Sequence, residues 1–303
     1  MNPPSSMKSE PAKASGLPSI LITGAHGMLG TDVALECRRR GIHAYPLAHA
    51  DCDITSLENC RSAIAASRPT AVINCAGYTK VDMAEAEEGL ATAINGTGPA
   101  NLAVACAEAG VHLIHVSTDY VFDGTRKGFY LPDDPPNPIN AYGRSKLAGE
   151  LAVTRIMPPG TFTIARTSWL FGSHGPNFVT TMLRLAREGK PLRIVDDQVG
   201  MPTYTVDLAR ALVIIAGISP VGIIHLSSTG YCSWFTFAKE IFRRSRVRPT
   251  ALASCTSEEY PTPARRPANT RLCNEKLAEI CINPLPTWQD ALHRFLREIG
   301  EVT

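Results

Sequence analysis

The sequence contains no run of 18 apolar residues, which excludes an ordinary membrane-spanning helix. Neither sign of charge is in excess. The 30 Lys and Arg stand against 28 Asp and Glu, a formal net charge of +2, so there is no global electrostatic case for a nucleic-acid partner. A local pocket for an anionic small molecule stays open. No two of the nine cysteines have CxxC spacing, which removes the zinc knuckle and the thioredoxin-type redox site. Thiols scattered in odd number through apolar stretches read as free cysteines in a reducing compartment. Met1–Ser19 is rich in Pro, Ser and Lys and lacks the apolar centre of a secretory signal, so a cytoplasmic location is expected. No internal repeat and no His/Asp/Glu cluster with metal spacing appears.

What is present becomes informative in its order. Hydrophobic residues make up 44% and charged residues 19% of the 303, as in an average soluble protein. Residues 1–18 hold four prolines and no apolar period, and read as a disordered extension. Short apolar runs at Ile20–Thr23, Ala71–Ala76, Val111–Ser117, Phe162–Thr167 and Gly222–Leu226 then alternate with helical stretches at Met28–Arg40, Leu57–Ser67, Gly96–Glu108 and Ala141–Arg155. Continuous apolar strands between amphipathic helices predict an α/β fold with a doubly wound parallel sheet, of Rossmann type. The expected division is a dinucleotide-binding domain over 19–169 and a smaller C-terminal substrate-binding lobe over 170–303. A segment of about 204–229 is expected to return to the main sheet.

Between the first strand and the first helix lies Thr23-Gly-Ala-His-Gly-Met-Leu-Gly30. Gly24 permits the tight turn, Gly27 lets the backbone approach a pyrophosphate, and Gly30 lets helix and strand pack closely. The phosphates then lie at a helix N-terminus, where unpaired N–H groups favour negative charge. The acid expected about 20 residues on is missing after the second strand, His43–Leu47, which removes the usual ribose partner of NAD. NADPH is therefore favoured over NADH. Arg38, Arg39 and Arg40 either assist a 2′-phosphate or simply end their helix. Asp53 either faces the adenine or takes a capping role before the box Thr55-x-x-Glu58.

Tyr142-Gly-Arg-Ser-Lys146 places a phenol and an ammonium one helical turn apart. A cation beside a tyrosine favours the phenolate and is expected to lower its pKa toward a range useful for proton transfer. Thr118 ends an apolar strand about 24 residues earlier, where open α/β sheets bind ligands, and its hydroxyl can hold a carbonyl oxygen beside the phenol. His112 and His115 alternate within that strand and read as satisfied core residues. The basic run Arg243–Arg248 reads as a solvated helix face.

The set TGAHGMLG, NCAGY, STDYVFDG and YGRSKLAGE resembles the extended short-chain dehydrogenase/reductase superfamily. The stretches Arg166–Gly172, Asn177-Phe178, Asp197–Thr203 and Tyr260–Leu272 narrow the likeness to the dTDP-4-dehydrorhamnose reductase family, from about Ile20 to the C-terminus. This resemblance implies reduction of the 4-keto group of dTDP-4-dehydro-L-rhamnose by a nicotinamide cofactor, giving dTDP-L-rhamnose. It implies Thr118, Tyr142 and Lys146 as the catalytic set. Cofactor contacts carried over by motif are Gly24, His26, Gly27, Met28, Leu29, Asp53, Ile54, Cys75, Ala76 and Gly77, with Tyr142 and Lys146. Substrate contacts are Thr118, Asp119, Asn95, Trp169, Asn177 and Arg266, where Asn95 is equally a helix-entry cap and Trp169 equally a core residue. Arg265 or Arg266 supplies the guanidinium that a diphosphate calls for. The expected partner is a small nucleotide sugar, with neither nucleic acid nor membrane, and a homodimer is compatible. Some relatives are magnesium-linked, but no Mg2+ ligands are identified here. Two other readings stay open. One is a non-catalytic NADP-binding regulatory subunit of the kind that acts on methionine adenosyltransferase. The other is an epimerase or dehydratase on another sugar nucleotide.

Overall fold

Six strands form one parallel sheet: β1 (Ser19–Thr23), β2 (His43–Leu47), β3 (Ala71–Asn74), β4 (His112–Thr118), β5 (Phe162–Thr167) and β6 (Gly222–His225). Their order across the sheet is β6-β5-β4-β3-β1-β2, with every neighbouring pair parallel. The chain reverses its direction of winding between β1 and β3, and open α/β sheets bind ligands in the crevice at such a point. This computed structural model describes residues 18–302. The extension expected over 1–18 thus lies outside the described residues, Pro18 excepted.

The two faces of the sheet follow from the twofold period of the strands. Ile20, Ile22, Ile73 and Ile114 pack on one side with α1 (Met28–Arg39) and, further along the chain, with Leu208, Leu212 and Ile215. Leu21, Val72, Leu113 and Ile164 face the opposite side. There they meet α2 (Leu57–Ser67), α3 (Gly98–Ala109) and α4 (Ala141–Ile156) through Cys60, Ile64, Leu102, Cys106 and Val153. Near-continuous apolar strands are what a sheet covered on both faces requires.

Caps fix the helix starts. Asn140 accepts from the Gly143 amide at 2.7 Å and opens α4. α2 starts one residue later than the expected box. The Thr55 hydroxyl is bonded to Asp53 Oδ1 at 2.8 Å, so Ser56 is left to accept from the Asn59 amide at 3.3 Å. Gly27, before α1, has no side chain to give its first amides, which leaves that N-terminus bare.

Beyond residue 169 a second core gathers Phe171, Val179, Tyr204, Phe237, Trp288 and Phe295. It is built from α5 (Phe178–Arg187), α7 (Trp234–Arg244), α8 (Trp288–Glu298) and short strand pairs such as 192–195 with 252–255. Between α5 and α7 the chain goes back to the main sheet. α6 (Thr205–Ile218) packs on α1, and β6 pairs with β5. Leu277, Ile282 and Leu285 also join the main core, a second return that the sequence pattern did not mark.

Candidate active site

A cavity of about 760 Å³ opens at the C-terminal ends of β1, β3, β4 and β5, facing the second core. Its floor is the glycine-rich turn. Gly24 has φ +67°, and a Cβ there would stand 2.6 Å from the Ala76 nitrogen; a Cβ on Gly30 would collide with the Gly24 carbonyl. Both positions therefore require glycine, and the turn lies against the chain leaving β3. His26, Gly27, Met28 and Leu29 from one side, and Cys75, Ala76 and Gly77 from the other, line the cavity together. A Cβ on Gly77 would come 4.0 Å from Lys146 Nζ, so the backbone itself forms the wall there. A bare helix N-terminus beside a glycine-lined crevice fits a dinucleotide.

Asp53 and Ile54 do not line this cavity. Asp53 Oδ1 accepts from the amide and hydroxyl of Thr55, and the Ile54 carbonyl accepts from Asn101 Nδ2 at 2.9 Å, so both are engaged in the turn before α2. Of the arginines at the end of α1, Arg39 and Arg40 are committed as well. Glu36 binds Arg39 Nε at 2.7 Å and Arg40 Nε at 2.5 Å, which is the helix-ending alternative.

Thr118, Tyr142 and Lys146 converge on one wall of the cavity. The Thr118 hydroxyl stands beside the Tyr142 phenol and donates to Asp119 Oδ1 at 2.9 Å. Lys146 Nζ donates to the Val116 carbonyl at 2.7 Å. Burial pushes the Tyr142 phenol up to about 12, against the pull of Thr118. The expected lowering by a lysine cation is not seen: desolvation of the phenolate is the largest cause, and Lys146, whose Nζ is turned to the Val116 carbonyl, is not among the groups acting on the phenol. Burial also lowers Lys146 to about 8, with Glu150 and Cys75 opposing, and raises Asp119 to about 7.

Asn95 also lines the cavity, but not as a helix-entry cap. It sits in a π-helical turn, Ala93–Thr97, where its Oδ1 accepts from the Tyr78 amide at 2.8 Å and its Nδ2 donates to Ser145 Oγ at 2.9 Å. Such turns cluster at functional sites. Trp169 lines the far end, stacked on Trp234 with ring centroids 3.5 Å apart and 5° between planes. Its φ of +46° is unusual for a tryptophan, and Gly200, in the Asp197–Thr203 stretch, leaves the space its indole fills.

Two expected substrate contacts, Asn177 and Arg266, are not among the residues lining the cavity. Asn177 caps α5 and donates Nδ2 to the Gly172 carbonyl at 2.8 Å, so it shapes the loop that carries His174, Gly175 and Pro176 to the cavity without lining it. Arg266 forms a two-pronged pair with Asp82, at 2.6 and 2.7 Å, and the Arg265 carbonyl accepts from Asn140 Nδ2. That pairing ties residues 264–266 to the entry of α4, and the guanidinium is already neutralised.

Sequence reasoning missed Tyr78, Tyr120, His174, Phe178 and Trp234, all of which line the cavity. The aromatic cluster Trp234-Phe235-x-Phe237 at the head of α7 was the available signal for the last. His112 bonds to Thr163 and His115 to Asn74, both within the core. Glu240 pairs with Arg243 and Arg244 on the surface of α7. Among the described residues, no three His, Cys, Asp or Glu are grouped to share a metal ion.

Residues 18–300 match the family described as the RmlD substrate binding domain. A dTDP-4-dehydrorhamnose reductase of Streptomyces griseus is 42% identical over 280 residues, covering 91% of this chain and 92% of that protein. A dTDP-4-keto-6-deoxy-D-glucose reductase of Streptomyces niveus is 39% identical, with 90% and 94% covered. Among solved structures, the dTDP-4-dehydrorhamnose reductase of Bacillus anthracis, in complex with NADP, superposes with a TM-score of 0.89 at 39% identity, over 93% of this chain and 99% of that one. The chain belongs to the dTDP-4-dehydrorhamnose reductase family.

Proposed function

We propose that this protein reduces the 4-keto group of dTDP-4-dehydro-L-rhamnose to give dTDP-L-rhamnose, with NADPH as the preferred reductant. One observation carries the reading: Thr118, Tyr142 and Lys146 share a cavity wall with the glycine-rich turn at the bare N-terminus of α1. The NADPH preference is supported by the missing acid after β2 and by the NADP held by the Bacillus anthracis relative.

His26, Gly27, Met28 and Leu29 hold the cofactor phosphates, and Cys75, Ala76 and Gly77 flank its nicotinamide half. The bound nicotinamide supplies a hydride. Thr118 orients the keto oxygen, and Tyr142, protonated at neutral pH because burial holds its phenol at about 12, delivers the proton to that oxygen. A protonated tyrosine suits the reducing direction. Lys146 donates to the nicotinamide ribose. Trp169 and Trp234 offer an aromatic wall to the nucleotide. The cysteines of the described chain are all free, in keeping with a reducing compartment.

The test is Tyr142→Phe. Turnover is expected to fall by about 10²-fold or more while NADPH still binds, since only the proton donor is lost. Near wild-type turnover would remove Tyr142 from the chemistry. The Streptomyces niveus relative makes dTDP-4-keto-6-deoxy-D-glucose the competing substrate, and assaying both 4-keto sugars in parallel separates the two readings.

A further inference from the structure

Tyr142, Lys146 and Glu150 are spaced four residues apart on α4, and each reaches a different residue at the end of β4. The Tyr142 phenol meets the Thr118 hydroxyl, Lys146 donates to the Val116 carbonyl at 2.7 Å, and the Ser117 hydroxyl donates to Glu150 Oε1 at 2.5 Å. Three consecutive β4 residues thus take three consecutive turns of one helix face. Arg166 of β5 completes the third rung. Its Nε and Nη2 donate to the Glu150 carboxylate at 3.0 and 2.7 Å, its Nη1 donates to the Pro132 carbonyl at 3.1 Å, and its guanidinium lies 5.0 Å over the Phe122 ring.

Glu150 and Arg166 are 2% and 1% exposed. A buried ion pair is a weak source of stability, because desolvation offsets most of the Coulombic gain. Its place beside Lys146 gives it another use. The groups that face Lys146 are Tyr142 on its own helix, Cys75 beyond β3, His115 on β4 and Glu150. Burial raises the Cys75 thiol and the Tyr142 phenol to about 12 and keeps His115 uncharged. Arg166 is bound to Glu150 itself. Glu150 is then the anion among these groups that favours an ammonium at Lys146.

We propose that Glu150 is a positioning residue of this reductase: through Ser117 it registers α4 on β4, and it supplies the negative charge that keeps Lys146 cationic. The proposal rests on the reductase reading above for its link to turnover, but not for its link to cofactor binding.

The experiment follows NADPH affinity by fluorescence, and kcat/KM, as functions of pH in the wild type, Glu150→Gln and Glu150→Asp. A double variant, Glu150→Gln with Arg166→Met, removes both buried charges and serves where the single Gln variant fails to fold. In the wild type both quantities are expected to fall above about pH 8, as Lys146 loses its proton. In the Gln variants the midpoint is expected about one pH unit lower. Glu150→Asp is expected to keep the wild-type midpoint while kcat drops several-fold. Unchanged midpoints in the folded Gln variants would overturn the proposal. A wild type that binds NADPH without turning over either sugar would overturn the reductase reading alone, because the NADPH-binding midpoints still decide the part of Glu150.

Discussion

Burial holds the Asp119 carboxyl at about 7, against the Thr118 hydroxyl, which donates to Asp119 Oδ1 at 2.9 Å and favours its ionised form. A carboxyl whose folded pKa is raised contributes stability that is complete below its unfolded value and is lost as pH rises through the folded one. The window is thus from about pH 4 to just above 7. Asp119→Asn removes that loss, so its stability relative to the wild type is expected to improve by roughly 1 kcal/mol between pH 6 and pH 8. Thermal unfolding at the two pH values measures it, and an equal difference at both would place the Asp119 ionisation elsewhere. At this scale the sequence was most legible where partners are close along the chain. Tyr142 and Lys146 share a helix face through their spacing alone. Arg266 was not legible, because its partner Asp82 lies 184 residues away and only the fold brings them together.

The β1–α1 turn is set by close approach as much as by phosphate. At Gly24 a side chain meets both a left-handed φ and the backbone of Ala76. Gly24→Ala is expected to destabilise the fold by at least about 2 kcal/mol and to weaken NADPH binding tenfold or more. Retained affinity and melting temperature would mean that the turn relaxes freely.

The Tyr260–Leu272 stretch acts as a strap. Asp82 accepts from the Ala264 amide at 3.1 Å and pairs with Arg266, and Asn140 binds the Arg265 carbonyl at the start of the helix that carries Tyr142. A double-mutant cycle on Asp82→Ala and Arg266→Ala is expected to show a coupling of about 1 kcal/mol, kept small by the exposure of Asp82, with kcat falling in each single variant. Additive effects would dissolve the strap, and a rise in KM alone would return Arg266 to the substrate. Strand and long-helix positions could be read from the period of their apolar residues. The π-helical turn at Asn95 and the two-residue strands of the second core had no such period, since tertiary contacts decide them.

Across the whole molecule, alternation of apolar strands and amphipathic helices announced the doubly wound sheet, and the solved NADP complex of a relative has the same fold. The return of β6 to that sheet was visible as the apolar strand Gly222–Leu226 inside a half richer in Gly, Pro and Arg. The return of residues near Leu277 was not, because the segment forms only a four-residue helix, Lys276–Glu279, too short to show an apolar period. No described helix is long and apolar enough to cross a membrane. The glycine-rich turn, Tyr142 and the second core meet at a single cleft.

The most direct measurement is NADPH oxidation by the purified protein, supplied with dTDP-4-dehydro-L-rhamnose and followed by identification of the product. Oxidation that depends on the sugar and yields dTDP-L-rhamnose is the expected result. NADPH bound but not oxidised, with either 4-keto sugar present, would contradict the reductase assignment and leave a binding protein in its place.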